Sequence, residues 1–402
     1  MTDFDAIVAG AGPAGLAAAA LLARDGKRTA LVTGKTSAEP DPRTVALMQP
    51  SIRMLEYLGL WPGSLRAQTA PLRKLRLVDD TGAAVRAPTL TFDAAELGEE
   101  VFGWNIPLSL LIPALRARAA ELGVAFIDDE VVGAATGEGA ISVKLASGAE
   151  VSARVALAAD GRNSRLRQAA GIGTEEWSYD QVAIATSFAH SAPHFDVSTE
   201  YHRQAGPFTT VPMPEGRSSL VWMERPTRAA QLMALDDAAL AVEIQIANHG
   251  ELGLVSQVGP RKAFPMRGLV ARQFAARRTL LVGEAAHVVP PIGAQGLNMS
   301  LRDAAQAADL ILAGDDAGSD DVMRDYETLR RRDVVPRQQA IDLMNRSLLS
   351  GFLVMEGARA AGLALLRNFT PLRHFVMRRG LGVAGPLPHA MRPHGKTPAL
   401  MK

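Results

Sequence analysis

Residues 4–9 form a nearly continuous apolar run, the pattern of a parallel strand buried on both faces, and the alanine- and leucine-rich stretch from Pro13 to Arg24 has helical length. Residues 28–32 follow as a second apolar run, so the chain opens with a βαβ unit, the start of a doubly wound sheet. Alternation across residues 75–92, around Asp79-Asp80-Thr81-Gly82, predicts an antiparallel hairpin. Residues 108–122 read as a helix and residues 124–127, 141–145 and 155–158 as strands, the middle one in a hairpin bounded by glycines. Between residues 181 and 264 the pattern changes to strand-like runs, such as 183–188 and 219–223, separated by proline-rich turns, which predicts a mainly antiparallel second lobe. Residues 279–282 restore a buried strand, followed by a glycine-rich turn and a long helix, so the first lobe is discontinuous in sequence.

Composition narrows the function classes. A chain of 402 residues can bury a sizeable core, and its formal net charge of +1 supplies no field for nucleic acid. With no cysteine, disulfides, thiolate metal sites and dithiol redox chemistry are excluded. Met-Thr-Asp-Phe-Asp leads straight into a strand without the basic and apolar regions of a signal peptide, and no stretch reaches the length of a membrane span. The expectation is a cytoplasmic protein.

Three segments carry the chemistry. Gly10-Ala11-Gly12-Pro13-Ala14-Gly15 lies directly after a strand and opens a helix. In that context the first glycine permits a tight turn, the second lets a pyrophosphate approach the backbone, and the third lets helix and strand pack closely. Gly380-Leu381-Gly382-Val383-Ala384-Gly385 repeats the spacing without a preceding strand and reads as a loop. Gly34-Lys35-Thr36 mimics the tail of a P-loop but lacks its first glycine, and reads as a surface turn. Dinucleotide folds place an acid at the end of the second strand to hold the ribose, yet here Thr33 and Gly34 stand there, leaving a hydroxyl, a backbone group or Glu39 as alternatives. The second segment, Asp160-Gly161-Arg162-Asn163-Ser164, follows the apolar run 155–159. The third is Gly283-Glu284-Ala285-Ala286-His287, continued by Pro290-Pro291-Ile292-Gly293-Ala294-Gln295-Gly296-Leu297-Asn298 and a helix.

Taken together, these segments resemble a class A FAD-dependent monooxygenase of the para-hydroxybenzoate hydroxylase fold. The resemblance implies an α/β protein: a discontinuous doubly wound, Rossmann-like FAD-binding domain (1–74, 99–178 and 268–345), a mainly antiparallel substrate domain (75–98 and 179–267) and a basic C-terminal helical segment (346–402). It implies that Gly10, Gly12, Pro13, Ala14 and Gly15 cradle the FAD pyrophosphate and that Asp160 and Gly161 lie near the pyrophosphates of FAD and NAD(P)H. Gly283 and Glu284 then meet the ribityl chain, and Pro291, Gly293, Ala294, Gln295, Gly296, Leu297 and Asn298 face the flavin pyrimidine. A helix N-terminus reached through these glycines suits the negative charge of a reduced flavin near N1. Two residues depart from the pattern, Glu284 for the usual aspartate and Ala294 for the usual glycine.

A finer match runs through Asp41-Pro42-Arg43-Thr44-Val45-Ala46-Leu47, Leu55, Leu58-Gly59, Trp61, Asn105, Leu108, Gly206-Pro207, Pro212 and Phe264-Pro265-Met266. Tyr326-Glu327, Arg330-Arg331-Arg332-Asp333 and Asn345-Arg346 extend it. These are similar to the ubiquinone-biosynthesis hydroxylase branch, which implies that Arg43 and Asn105 contact FAD. The expected activity is ring hydroxylation of a lipophilic phenol or quinol by O2, with electrons from NAD(P)H or an external reductase. Hydroxylation of a soluble aromatic acid, drawing on Arg203, Arg217 or Arg261, and a non-catalytic flavin scaffold of a quinone-biosynthesis complex are the alternatives. His287 reads as structural, no metal site is expected, and no catalytic acid or base is assigned. From Gly357 onward the chain has no Asp or Glu, while Arg359, Arg367, Arg373, Arg378, Arg379, Arg392, Lys396 and Lys402 stand among apolar residues. Such a segment suits either an anionic inner-membrane surface or ordinary packing on the first lobe.

Overall fold

A computed structural model describes residues 2–34, 41–82, 86–349, 353–380 and 386–393. Glu39, Lys35, Thr36, the Leu381–Gly385 part of the repeated glycine motif, Lys396 and Lys402 lie outside the described residues, as do the side chains of Arg359 and Arg379.

Two sheets organise the chain. In the first, the strands run in the order 275–276, Thr279–Leu281, Glu150–Ala158, Phe4–Ala9, Thr29–Val32 and Ala125–Ile127, with the hairpin strands Ile141–Leu145 and Val131–Thr136 attached. The five core strands are mutually parallel. Their apolar runs are sandwiched between helices: Ile7, Val8, Leu31, Val155 and Leu157 are all essentially inaccessible, as are Leu16, Leu21 and Leu22 of the Pro13–Arg24 helix. Burial on both faces is what the unbroken hydrophobic pattern required.

Among the described residues the second sheet has nine strands, and along most of its length neighbours pair antiparallel. Its longest strand, Thr174–His190, pairs with both Lys262–Ala271 and Arg217–Glu224. Residues 178/179 and 267/268, the expected domain boundaries, therefore fall inside continuous strands, so the chain passes between lobes along sheet backbone. The strands Lys74–Asp79 and Leu90–Asp93 pair at one edge of this sheet, as the predicted hairpin required. Their connection is longer than the tight turn expected, and the Asp79 carboxylate organises it by accepting from Thr81 and from the Ala87 N–H.

Two helices, Pro226–Ala234 and Asp237–Ala247, were not foreseen; they cover one face of the second sheet, over Ile184, Phe188, Tyr201, Phe208 and Trp222. The opposite face looks toward the first lobe. There the small sheet Thr44–Met48, Gly103–Pro107 and Ala70–Leu72 joins the lobes, with Thr44 donating to Ser219 at 2.7 Å and Asn105 to the Pro212 carbonyl at 2.9 Å. Three helices, Asp320–Leu349, Leu353–Asn368 and Thr370–Gly380, complete the chain before residues 386–393 return to the first lobe, burying Ala390 and Met391. Among the described residues no helix is long and apolar enough to cross a membrane.

Candidate functional site

All three sequence motifs sit at the C-terminal ends of adjacent parallel strands, Phe4–Ala9, Glu150–Ala158 and Thr279–Leu281. At the first, Gly10 has φ of +103°, and a side chain there would run into the Ala159 carbonyl of the neighbouring strand end. A methyl group on Gly15 would collide with the Gly10 carbonyl. Gly12 is different: its φ and ψ of −73° and 173° suit any residue, and its face is open, with no atom within 4 Å of where a methyl group would stand. The helix from Pro13 has no side-chain cap and no acid in its first turn, so Ala14 and Gly15 leave N–H groups and a positive helix end turned to that open space.

At the second strand end, one oxygen of Asp160 accepts from the backbone N–H groups of Arg165 and Leu166 at 2.7 and 3.3 Å. The other, Oδ1, is buried without a partner. Gly161 takes φ of +78° to turn the chain away. Arg167, itself buried, donates to the carbonyls of Arg162 and Ala285 and so ties the second motif to the third.

The third turn is fixed from behind. Gly283, at φ +64°, donates its N–H to Asp303 Oδ2 at 2.9 Å; the same oxygen lies 2.7 Å from His287 Nε2, while Asp303 Oδ1 accepts from Arg330 Nε at 2.6 Å. Asp303, His287 and Arg330 are almost wholly buried, which gives His287 a structural role. Burial alone would raise the Asp303 carboxyl; Arg330, His287 and the Gly283 N–H outweigh it and hold the group below its ordinary range. Neighbouring Asp333 behaves alike: Arg330, Arg337 and Arg302 overcome its burial and bring it down to about 2. Glu284, by contrast, projects outward with no hydrogen-bond or ion-pair partner among the described residues. Arg43 sits near enough to feel that carboxylate, but is gripped first by Asp41 at 2.5 Å and stacks over Phe264; Asp41 and then Glu284 raise its pKa further.

Along Pro291–Asn298, Gly293 and Ala294 both adopt left-handed backbone, φ +62° and +54°, and the Gln295–Ala313 helix begins without a side-chain cap. Its first N–H groups, from Gln295, Gly296 and Leu297, are those the turn presents. The Asn298 side chain is committed to the protein: Oδ1 accepts from the Met48 N–H and Ser51, and Nδ2 donates to Ala46 and Ala294. Gln295 likewise bridges Gly293, Gly380 and Arg337. Both side chains thus shape the turn, leaving its backbone to meet a ligand. Asn105 is buried at the lobe junction, with Nδ2 used by Pro212 and Ser219 and Oδ1 unpartnered.

An acid does stand at the end of the second strand, although from another part of the chain. Thr33 Oγ1 donates to Asp128 at 3.1 Å, and Asp128 is positioned just beyond the Ala125–Ile127 strand. Sequence reading missed it because the two residues lie on strands that are neighbours in space only.

An apolar cluster of Met48, Leu72, Leu90, Phe92, Phe102 and Met377, extended by Leu75, Leu77, Val211, Leu363 and Leu366, reaches the third motif at Ala294. Arg203, Arg217 and Arg261 are each engaged within the second lobe, by Asp80, by Ser187 and Gln257, and by the Leu235 carbonyl, respectively. No metal-ligating cluster occurs among the described residues.

Known proteins match this arrangement. The family described as "FAD binding domain" matches residues 3–339. Ubiquinone hydroxylase UbiL of Rhodospirillum rubrum is 30% identical over 96% of this chain and 91% of its own length. The 3-demethoxyubiquinol 3-hydroxylase of Escherichia coli is 28% identical over 86% of this chain and 88% of its own. Among solved structures, p-nitrophenol 4-monooxygenase from Pseudomonas putida superposes with a TM-score of 0.75 over 94% of this chain and 98% of that one, at 18% identity. A Diels–Alderase of pyrroindomycin biosynthesis gives 0.73, covering 95% of this chain and 81% of that one at 21% identity. Those two likenesses establish the fold; the second shows that the fold alone does not dictate hydroxylation.

Proposed function

Since the chain belongs to the FAD-binding-domain family and is an FAD-dependent monooxygenase, we propose that it hydroxylates the ring of a lipophilic phenol or quinol in ubiquinone biosynthesis. The observation that carries this reading is the convergence of three motifs at the C-terminal ends of adjacent parallel strands, the third of them reached by an apolar cluster at Ala294. The residues present fit FAD. Gly12 leaves room for a pyrophosphate against an uncapped helix, and unpartnered Glu284 suits ribityl hydroxyls. The buried Asp160 Oδ1 awaits a donor, and the uncapped helix beyond Ala294 offers N–H groups to the flavin pyrimidine. Asp128 with Thr33 would hold the adenosine ribose, the duty the second strand's own end leaves vacant. Arg43 and the Asn105 Oδ1 would border the ring system.

When bound and reduced by NAD(P)H or another reductase, FAD supplies the activation of O2 that ring hydroxylation needs. The chain's own contribution is placement and exclusion of water. Leu75, Leu77, Leu90, Phe92 and Val211 offer an apolar wall beside Ala294, suited to a prenylated ring; Arg373, which stacks over Phe92, is already matched by Glu96 and so is a poor partner for the carboxylate of an aromatic acid.

Access for such a substrate points to the C-terminal helix pair. Leu365, Phe369, Phe375 and Val376 are exposed there together with Arg367 and Arg378, whereas Arg373 is drawn in to Glu96. We assign this face to an anionic membrane surface, where other enzymes of quinone biosynthesis would also meet it. Flotation with anionic liposomes should be lost on truncation before Gly357, and equal flotation would refute the assignment. For the activity, deleting the gene should cause one under-hydroxylated quinone precursor to accumulate; an unchanged quinone profile, in a strain without a second such enzyme, contradicts the reading.

A further inference from the structure

Glu200 and His202 form a buried pair in the second lobe that none of the preceding chemistry uses. Glu200 is 8% and His202 4% exposed, and their facing atoms, Glu200 Oε1 and His202 Nε2, lie 2.7 Å apart. Both belong to the strand Val197–His202. Between them Tyr201 points to the helix-covered side, among Phe208 and Trp222. Because side chains alternate along a strand, Glu200 and His202 point the other way. Register fixes that side independently. Glu200 lies opposite Leu77 on one neighbouring strand and Thr209 on the other, and Leu77 belongs to the apolar cluster that reaches Ala294. Thr209 in turn pairs with Val221, which packs with Ile292 of the flavin-facing turn. Two inter-strand steps separate Glu200 from Val221, a distance of roughly 10 Å, about that of a substituted ring.

The pair is also incomplete. Glu200 Oε2 and His202 Nδ1 have no hydrogen-bond partner among the described residues. The charged groups nearest in register are committed elsewhere: Asp79 to Thr81 and the Ala87 N–H, and Asp80 to Arg203 and His249. Both atoms border space that water or a ligand can reach, where a further hydrogen-bonding group can complete the pair.

Accepting the hydroxylase reading above, we propose that Glu200 and His202 are the acid–base pair that takes the proton from the substrate's ring hydroxyl. The O–H bond breaks, its electron pair stays on the ring oxygen, and the proton moves to His202 Nδ1. Nε2–H of the same ring donates to Glu200, whose carboxylate balances the imidazolium. The resulting phenolate pushes electron density into the ring, which is what electrophilic oxygen transfer requires. Positioned bases of this kind contribute roughly 100- to 10,000-fold to rate.

The test uses the holoenzyme with oxidised FAD and a prenylated nitrophenol, whose anion absorbs visible light while its neutral form does not. Bound to the wild-type protein, the probe should be more ionised than in buffer at the same pH. His202→Gln and Glu200→Gln should keep their FAD and bind the probe within about threefold of wild type by equilibrium dialysis, but the excess anion band should fall by about tenfold or more. Should His202→Gln fail to fold, Glu200→Gln, which preserves side-chain volume, decides the matter. Undiminished ionisation in the variants overturns the assignment and leaves the hydroxylase reading standing. A wild-type holoenzyme that binds no prenylated phenol removes the substrate reading, and the pair's role with it.

Discussion

Replacing Gly12 with alanine separates the cofactor's requirements from those of the fold. In the structure the position takes φ −73° and ψ 173°, and an added methyl group meets nothing within 4 Å. In the apoprotein the smaller unfolded-state entropy of alanine stabilises by about 0.4–1 kcal/mol. Alanine's poor standing as a helix N-cap costs a similar few tenths or more relative to glycine, so the two nearly cancel. With FAD the balance changes on the cradle proposed above, which puts a pyrophosphate in that open space against the helix end. Forcing a methyl group into such a contact costs about 1–3 kcal/mol, which weakens FAD binding by roughly 5- to 150-fold. Gly15→Ala is the control, because its methyl group collides with the Gly10 carbonyl whether or not FAD is present. Thermal unfolding of apoprotein, paired with FAD titration by flavin fluorescence, reads both quantities. Gly12→Ala should leave the apoprotein Tm within about 2 °C of wild type and raise the Kd for FAD; Gly15→Ala should lower the Tm outright. This division of roles is wrong if Gly12→Ala destabilises the apoprotein as much as Gly15→Ala does, or binds FAD with unchanged affinity.

Removing the charge of Asp303 by Asp303→Asn leaves buried Arg330 without its main counter-ion behind the Gly283 turn, and should lower stability by about 3–5 kcal/mol in urea unfolding; a loss under ~1 kcal/mol would show the network to be dispensable. Asp333, held down to about 2 by its arginines, contributes stability that is fully present above the ordinary carboxylate value and is lost as pH falls through the folded value. Stability should therefore drop by about 2 kcal/mol from this group between pH 4 and pH 2, with Asp303 adding in the same direction, and calorimetry showing no such decline in that window would count against the assignment. Ala294→Gly relieves a left-handed alanine, a strain of roughly 1–2 kcal/mol, against roughly 0.4–1 kcal/mol of added chain entropy, so the apoprotein should become slightly more stable. A lower Tm would mean that the Ala294 methyl group's packing against the apolar cluster outweighs the strain.

The elements most legible in the sequence were those whose pattern is imposed by burial on both faces. The Phe4–Ala9 strand and Pro13–Arg24 helix fall where the apolar runs and Pro13 put them, and residues 279–282 returned to the same sheet as expected. The two helices at Pro226–Ala234 and Asp237–Ala247 had readable starts, Pro226 in a first turn and Asp236 capping Ala239, but the surrounding alternation and prolines drew the region toward strand. What stayed hidden was pairing between distant segments. Asp128 serves Thr33 from a strand far along the chain, and the Asp303–His287–Arg330 network draws on two helices and a turn. Glu200 and His202 look like ordinary polar positions of an alternating strand until register puts Glu200 between Leu77 and Thr209 and His202 opposite Asp79. Side-chain roles were also less legible than backbone roles: the motif puts Asn298 and Gln295 at the turn, yet their amides hold protein.

The most direct trial of FAD-dependent ring hydroxylation by this chain is a single turnover under oxygen-18. Holoenzyme with its FAD reduced anaerobically is mixed with short-chain demethoxyubiquinol and labelled O2, and the quinol is analysed by mass spectrometry. One labelled oxygen atom should appear as a new ring hydroxyl as the flavin reoxidises. A flavin that reoxidises while the quinol returns unlabelled and unchanged, or a folded protein that takes up no FAD at all, would contradict it.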